Sequence, residues 1–496
     1  MTEVYARPQV TVAQTELKAG ALRLPSILMQ SIATIAPAIA ALYFTPAVVG
    51  FAGLAAPLAY PVAVVLTLFL GVSLVQLTKA MPSAGGYYTY ISRTMGPYIG
   101  FVIAWLFFLY APTAGGPVLI YSGAIINGQL KEAFGFGFPW WAFFFLGATL
   151  VMLLQYRGVQ LSGKVLVILG GIEIFVVLLL TIWAMFSPGP GGFNLQPFNP
   201  ANATGGALGT GIMLAVIFGM QAITGWDGAA PLAEETENPT KNVPRAIYGS
   251  IILIGVFLII ATFGTMIGWG TANFAKIPTA TELPAITIAK RLWGDGWIAL
   301  MLVFLSSTLA VTLACANMGS RMWYSMARSG VLPKFFAKTH PVYKTPVNTI
   351  LAQYVVTLVT GLILVAFAGG ATDSQYFLDG LMIGLVTIVV YGSGNFASFL
   401  YYWRQRRDQF NIWLHFIIPL VSTVSLLVLA YNVVTTIPAA PVGYAVPIVI
   451  GWIVIGVVLL FVFRAVGHTD WVARAGDAVE ERPATTEEVA GLHGEW

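Results

Sequence analysis

The sequence predicts an all-α integral membrane protein with twelve transmembrane helices. Its 496 residues are 58% hydrophobic and only 9% charged, with a mean hydropathy of +0.82, whereas soluble domains carry about 25% charged residues. A membrane-spanning helix needs roughly 20 mostly apolar residues. Twelve such runs occur, at residues 24–50, 55–78, 97–128, 139–156, 163–186, 207–233, 246–270, 297–320, 348–367, 376–402, 412–434 and 444–464.

The distribution of basic residues predicts that both termini lie in the cytoplasm. Twenty of the 24 Lys and Arg residues fall in the two tails or in loops on the same side as the tails, which we call the basic side. The opposite side carries Lys131, Lys276, Lys290 and Arg291. Because cytoplasmic loops carry an excess of Lys and Arg, we expect a multi-pass protein of the plasma membrane.

The predicted spans divide the chain into five parts. Residues 1–23 form a cytoplasmic tail, because they contain no short apolar stretch followed by a cleavage site. Residues 24–186 hold the first five spans, 207–402 the next five and 412–464 the last two, and residues 465–496 form a second cytoplasmic tail.

Motifs for catalysis and for metal binding are missing from the sequence. One cysteine and four scattered histidines suggest no metal site. There is no HExxH signature and no Gly-X4-Gly-Lys-Ser/Thr phosphate loop, and no nucleophile–base–acid set is recognisable. We therefore expect a protein that is not an enzyme, with neither a cofactor nor a nucleic-acid partner, working in the lipid bilayer on a small molecule.

Two predicted spans are interrupted at matching positions. The first, SIATIAPAIAALYFTP, contains Pro37, which lacks an N–H group and clashes with the carbonyl group one turn earlier. The sixth, VIFGMQAITGWDGAAP, contains Gly225 and Gly228 on either side of Asp227, and glycine weakens a helix by about 1 kcal/mol relative to alanine. Paired interruptions in corresponding spans predict a transporter binding site near the bilayer midplane, although Gly and Pro also serve packing in membrane helices.

Glu173 lies inside the fifth predicted span, in LVILGGIEIFVVLLL. Acids within a membrane are costly, face the bundle interior and mark ion or proton pathways. We expect Glu173 to carry a coupling proton or to ligate a cation; a structural acid bonded to a neighbouring helix is the alternative. Sodium is the less favoured coupling ion, and its oxygen ligands would include Ser306, Ser307 and Thr308 of the eighth span.

Three stretches of the sequence resemble the amino acid–polyamine–organocation (APC) transporter superfamily. PSAGGYYTYISRTMGP (82–97) is similar to the entry to its third helix, GWDGAAPLAEETENPTKNVPRAI (225–247) to its sixth helix and the loop that follows, and SRMWYSMARSGVLPKFFAKTHPVYKTPVN (320–348) to the loop after its eighth helix. The resemblance covers roughly residues 25–465. It implies two inverted five-helix repeats plus two C-terminal helices, with helices 1 and 6 discontinuous.

The same resemblance implies a substrate site between the two breaks, closed by the third, eighth and tenth helices. Asp227 would be a gate residue, with a helix-break cap as the alternative. The first span lacks the glycine-rich run whose N–H groups bind a substrate carboxylate in relatives, so an amine without a carboxylate is an open alternative. The substrate-binding residues mapped in this way are Thr34, Ile35, Ala36, Pro37, Ala38, Gln221, Ala222, Ile223, Thr224, Gly225 and Trp226.

Together these features predict a secondary active transporter that imports an amino acid by proton-coupled alternating access. One alternative is an importer or exchanger of a polyamine or small amine with the same fold. A second alternative, from another class, is an amine-binding channel or sensor without coupled transport.

Overall fold

The computed structural model describes residues 17–206, 210–280, 282–371, 373–435 and 439–475. The predicted tail segments 1–16 and 476–496 lie outside these ranges. The described residues form α1 (Leu24–Ile35), α2 (Pro37–Ala52), α3 (Ala59–Ala80), α4 (Tyr87–Met95), α5 (Pro97–Phe107), α6 (Ala111–Phe134), α7 (Trp140–Tyr156), α8 (Val159–Phe186), α9 (Thr210–Ala222), α10 (Pro239–Trp269), α11 (Pro284–Trp293), α12 (Ile298–Ser329), α13 (Val347–Ala368), α14 (Asp373–Arg404), α15 (Ile418–Thr435) and α16 (Ala445–Ala465).

The described chain is helical throughout and has no β-strand, only two isolated bridges. Eleven stretches are long and apolar enough to cross a membrane. The twelfth predicted span coincides with α7, an apolar helix of 17 residues, which at about 1.5 Å per residue is slightly shorter than a hydrocarbon core of about 30 Å. A multi-pass, all-helical membrane protein is therefore confirmed, whereas the inverted-repeat arrangement and the cytoplasmic position of the basic side stay predictions.

Helical structure stops inside the first and sixth spans, where the sequence places Pro37 and the glycines. α1 ends at Ile35, Ala36 adopts a left-handed conformation with φ 59°, and α2 begins at Pro37. Proline suits the first position of a helix because its missing N–H group would have no partner there. In the sixth span, α9 ends at Ala222, and a 3-10 segment follows the turn, from Trp226 to Glu235.

The third span differs from its prediction, because it is divided into α5 and α6. The chain turns between Phe107 and Ala111, and Tyr110 precedes the first residue of α6 with φ −110° and ψ −85°. Pro112 stands at the start of α6, a position typical of helix beginnings. This turn brings the Tyr110 side chain towards the breaks in the other two spans.

The outer helices present apolar side chains at the surface of the bundle, as a lipid environment requires. Phe175 and Phe186 on α8 and Phe461 on α16 are 65%, 84% and 69% exposed. Helix α16 is fastened to α5 by two stacked indoles: Trp105 Nε1 donates to the Trp452 carbonyl and Trp452 Nε1 to the Trp105 carbonyl, each over 2.8 Å.

Candidate functional site

The two helix breaks touch each other through their backbones. Gly225 has φ +114°, and a Cβ atom on it would lie 2.7 Å from the carbonyl carbon of Thr34. A Cβ atom on Gly228 would lie 2.5 Å from Thr34 Oγ1. The Ala229 N–H group donates to Ser31 Oγ over 3.0 Å. Glycine at both positions is therefore what permits this close contact.

A cavity of about 110 Å³ lies beside this contact. It is bordered by both breaks and by α6, α12 and α14, which are the third, eighth and tenth spans. Six of the predicted substrate residues line it, namely Thr34, Ile35, Ala36, Gln221, Ala222 and Thr224. Five do not: Pro37, Ala38, Ile223, Gly225 and Trp226. Trp226 instead borders a separate space of about 30 Å³.

The carboxyl ends of two helices contribute to the lining of the cavity. Ile35 ends α1 and Ala222 ends α9, and both line the cavity. The backbone N–H groups of Ile223 and Thr224 bond to carbonyl groups earlier in the chain, whereas no described residue donates to the carbonyl groups of Ala222, Ile223 or Thr224. Helix carboxyl ends carry partial negative charge, so this wall of the cavity favours a cation.

Asp227 is held by two tyrosine hydroxyl groups from other spans. Tyr110 and Tyr391 both donate to Asp227 Oδ1, over 3.1 and 3.0 Å. Neither tyrosine is among the residues predicted to form the site. Asp227 is buried and does not itself line the cavity, whereas Tyr110 does. Trp323 of α12 packs against Phe108 with ring centroids 4.5 Å apart.

Glu173 joins the fifth span to the first-span break. Its side chain is fully buried on α8, and its Oε2 accepts the Ala38 N–H group over 3.3 Å. Ser307 of α12 lies beside the carboxyl group, yet neither Glu173 Oε1 nor Ser307 Oγ completes a hydrogen bond within the described chain. Ser306 bonds to Leu169, and Thr308 bonds to Phe304 and Ser122. Of these three residues, only Ser307 therefore lies at the Glu173 carboxyl group.

Asp379 is a buried acid that the sequence analysis did not single out. It is 1% exposed on α14 and lines the central cavity. Its Oδ1 has no hydrogen-bond partner among the described residues. The signal was available, because Asp379 falls within the predicted span 376–402 and the rule applied to Glu173 covers it equally.

On the basic side the bundle is closed by buried polar contacts. Arg321 of α12 and Glu235, at the end of the 3-10 segment, form a fully buried ion pair with Nε–Oε2 at 2.8 Å. Asn317 extends the contact, since it accepts from Arg321 and Gln155 and donates to Gln30. Glu234, next to Glu235, pairs with Arg328, so two neighbouring acids of this segment are bound by basic residues of α12.

On the opposite side a wide vestibule of about 700 Å³ enters the bundle. Aromatic rings separate it from the central cavity. Tyr43 and Tyr121 line the vestibule, and both contact Tyr376, which lines the cavity, with ring centroids 5.1 and 4.5 Å apart. An aromatic cluster therefore lies between the cavity and the vestibule, and a buried ion pair lies on the basic side of the bundle. Elsewhere in the described ranges, no group of three or more His, Cys, Asp or Glu residues is placed to hold a metal ion.

Comparison with known families agrees with this arrangement. The sequence profile described as amino acid permease matches residues 22–466. The chain belongs to the amino acid permease family. This membership confirms the resemblance to the APC superfamily.

Named relatives of this amino acid permease differ widely in what their names say they carry. The chain is 26% identical over 366 residues to the low-affinity putrescine importer PlaP of Escherichia coli, covering 71% of this chain and 75% of the relative. It is 27% identical over 394 residues to the branched-chain amino acid permease BcaP of Lactococcus lactis, covering 75% and 79%. It is 26% identical over 329 residues to the human cystine/glutamate transporter, covering 65% and 63%.

A solved structure shares the fold of this permease. It is described as a substrate-bound outward-open state of a Na⁺-coupled sialic acid symporter. The TM-score is 0.52, at 12% identity, with 84% of this chain and 90% of that chain covered. At this identity the similarity bears on the fold alone.

Proposed function

We propose that this permease is a secondary active transporter that imports a small amine or amino acid by alternating access. The observation that supports this most directly is the cavity between two helix breaks, with an aromatic cluster on its vestibule side and a buried ion pair on the basic side of the bundle. Opening the aromatic cluster would admit a ligand from the vestibule, and opening the buried ion pair would release it on the basic side. Separate closures around a fixed site are the requirement for alternating access.

The walls of the cavity favour a ligand with an ammonium group. The carboxyl ends of α1 and α9 face the cavity, and their free carbonyl groups are acceptors for N–H donors. The names of the relatives leave the ligand's charge open, since putrescine, branched-chain amino acids and glutamate differ in charge. The site itself must therefore discriminate among them.

Glu173 is our candidate for the coupling residue. The carboxyl group touches the first N–H group of α2 and lies beside α12, so a change in its charge acts directly on the first-span break. None of the ion pairs in the described chain includes Glu173. A proton is the preferred coupling ion, because one serine hydroxyl and one carboxylate fall short of the six or more oxygen ligands typical of hard cations such as Ca²⁺.

Placing the basic side in the cytoplasm of a plasma-membrane protein makes the vestibule face outwards. Lys290, Glu132 and Glu282 meet near the vestibule, with Lys290 Nζ 3.8 Å from Glu132 Oε1. Arg23 and Glu237 meet on the basic side. An outward-facing vestibule would give a ligand outside the cell a route towards the cavity, and uptake is the direction that we propose.

Uptake into proteoliposomes tests the proposal. Purified protein would be given labelled leucine, lysine and 1,4-diaminobutane, with and without an inward proton gradient and with and without sodium. We expect gradient-driven accumulation of at least one ligand. Glu173→Gln should abolish stimulation by the proton gradient and retain ligand exchange, whereas Glu132→Gln, an exposed acid, should behave as the wild type.

Each outcome of this experiment bears on one part of the proposal. Full gradient dependence in Glu173→Gln would remove Glu173 from coupling. Stimulation by sodium and not by protons would replace the coupling ion. Binding without movement of any ligand across the membrane would favour an amine-binding sensor, and passive flux without accumulation would favour a channel.

A further inference from the structure

We propose that Asp379 is the specificity residue of the central cavity and that it selects amines of net positive charge over zwitterions. This inference rests on the proposed transport function and names the ligand class of the same site. Asp379 lies in none of the sequence motifs and in neither helix break, so no role follows for it from those features.

The first support is the isolation of Asp379. Its side chain is 1% exposed, and it belongs to none of the ion pairs in the described chain. Oδ1 has no hydrogen-bond partner in the described residues. A buried carboxylate without a partner is strongly unfavourable. Asp379 lines the cavity, so a bound ammonium group is the partner that the surroundings leave room for.

The second support is the charge of the rest of the lining. Asp379 is the one acid among the described residues that border the cavity, and no Lys, Arg or His borders it. One N–H of the Gln221 amide donates to the Gly380 carbonyl group over 3.0 Å, which leaves one neutral donor on this side chain. A carboxylate group on the ligand would therefore meet Asp379, neutral polar groups and apolar side chains, and no cation among the described lining residues.

The third support is the first-span break, where a ligand carboxylate would otherwise bind. The start of a helix can hold an anion through its free N–H groups. Here the first residue of α2 is Pro37, which has no N–H group, and the N–H group of Ala38 donates to Glu173. The Ala40 N–H group donates to the Ala36 carbonyl. The N–H group of Ala36, at the N-cap, donates to the Ala33 carbonyl group, so three of the four N–H groups that are free at an ordinary helix start are lost to a ligand.

The lining of the cavity, whose volume is about 110 Å³, also bears on the ligand. A short amine fits this space. A ligand whose positive end lies at Asp379 and whose remaining atoms contact Ile39, Val118 and Val311 is complementary to the lining.

A matched series of four-carbon ligands tests the proposal on the full-length protein. Binding constants would be measured for 1-aminobutane, 1,4-diaminobutane and 4-aminobutanoate, which carry one positive charge, two positive charges and no net charge. We expect the wild type to bind both cations more tightly than 4-aminobutanoate. Asp379→Asn should weaken binding of the cations roughly a hundredfold, as expected when one partner of a buried charge pair is removed, and should affect 4-aminobutanoate much less.

Glu282→Gln is the control for general electrostatic attraction. Glu282 lines the vestibule and pairs with Lys290, so its loss removes one negative charge near the entrance without touching the cavity. This variant should keep the wild-type order of affinities. An equal loss of cation binding in Glu282→Gln and Asp379→Asn would overturn the assignment, as would an unchanged cation preference in Asp379→Asn.

The result for the wild type is informative without any variant. Equal or tighter binding of 4-aminobutanoate would overturn cation selection, even if Asp379→Asn did not fold. The proposed function has a different test. If the protein takes up zwitterionic leucine and Asp379→Asn leaves its ligand preference unchanged, this inference is refuted but the transport function is not. The absence of any uptake, for any ligand, would refute transport itself.

Discussion

Replacing Gly225 by alanine should separate the two helix breaks. Gly225 has φ +114°, a conformation that residues with a side chain rarely adopt, and its Cβ atom would lie 2.7 Å from both the carbonyl carbon and the carbonyl oxygen of Thr34. The backbone strain costs about 1–3 kcal/mol, and an overpacked buried contact about 1–3 kcal/mol more. The expected destabilisation is therefore roughly 2–6 kcal/mol.

Gly158→Ala is the matched control for the strain alone. Gly158 has φ +122°, and a Cβ atom there would meet nothing within 4 Å. The assay is thermal unfolding of the purified variants in detergent, followed by binding of whichever ligand the wild type accepts. We expect Gly225→Ala to unfold at a lower temperature than Gly158→Ala, and only Gly225→Ala to lose ligand binding, because Thr34 on one side of the contact lines the cavity.

Equal unfolding temperatures for the two variants would refute the steric part of this reasoning. Unchanged ligand binding in Gly225→Ala would refute its functional part, because it would show that the two breaks need not touch for the cavity to form. A lower unfolding temperature with intact binding would mean that the contact stabilises the bundle without shaping the site.

Two further predictions concern buried polar contacts. Arg321→Met should lower the unfolding temperature strongly, since leaving a buried charge unpaired typically costs about 3–5 kcal/mol. Adding Glu235→Met should restore part of the lost stability. If the double variant instead shows the sum of the two single losses in the same thermal assay, the prediction is wrong. Tyr110→Phe and Tyr391→Phe should each destabilise by about 1–3 kcal/mol, since each removes a donor from a buried acceptor. Both effects should shrink in an Asp227→Asn background, and full additivity would show that Asp227 is not their partner.

An exposed ion pair on the same side provides the control for the buried one. Arg23 and Glu237 have side chains 86% and 50% exposed, with Nε–Oε2 at 3.6 Å. Exposed pairs contribute about 0–1 kcal/mol. Arg23→Met should therefore leave the unfolding temperature nearly unchanged, which separates the effect of burial from the loss of one positive charge.

Local chemistry made the two functional breaks predictable. Pro37 removes a hydrogen bond, and Gly225 permits a positive φ, so each acts on the backbone at its own position in the chain. The division of the third span was missed because no proline or glycine stands at Phe108–Tyr110. Pro112, just after the turn, was the available signal of a helix start.

Contacts between spans were beyond the reach of a single sequence. Tyr110 and Tyr391 are 117 and 164 residues from Asp227, and nothing in the local pattern around either tyrosine indicates an acid as its partner. The same applies to Arg321 and Glu235, which are 86 residues apart in the chain. Asp379 was missed for another reason: the rule for acids within a membrane was applied to Glu173 alone, although Asp379 also lies inside a predicted span.

The position of Ala38 connects the proposed ligand site with the proposed coupling site. Its N–H group donates to Glu173, and Ala36, two residues earlier, lines the cavity. An ionised Glu173 accepts this hydrogen bond more strongly than a protonated one, so the charge of Glu173 biases the geometry at the start of α2. Coupling between two sites is reciprocal; a ligand that binds better to one geometry of the break must therefore also change how readily Glu173 takes up a proton. A cation at Asp379 and a proton at Glu173 would then act on the same few residues between Thr34 and Ala38.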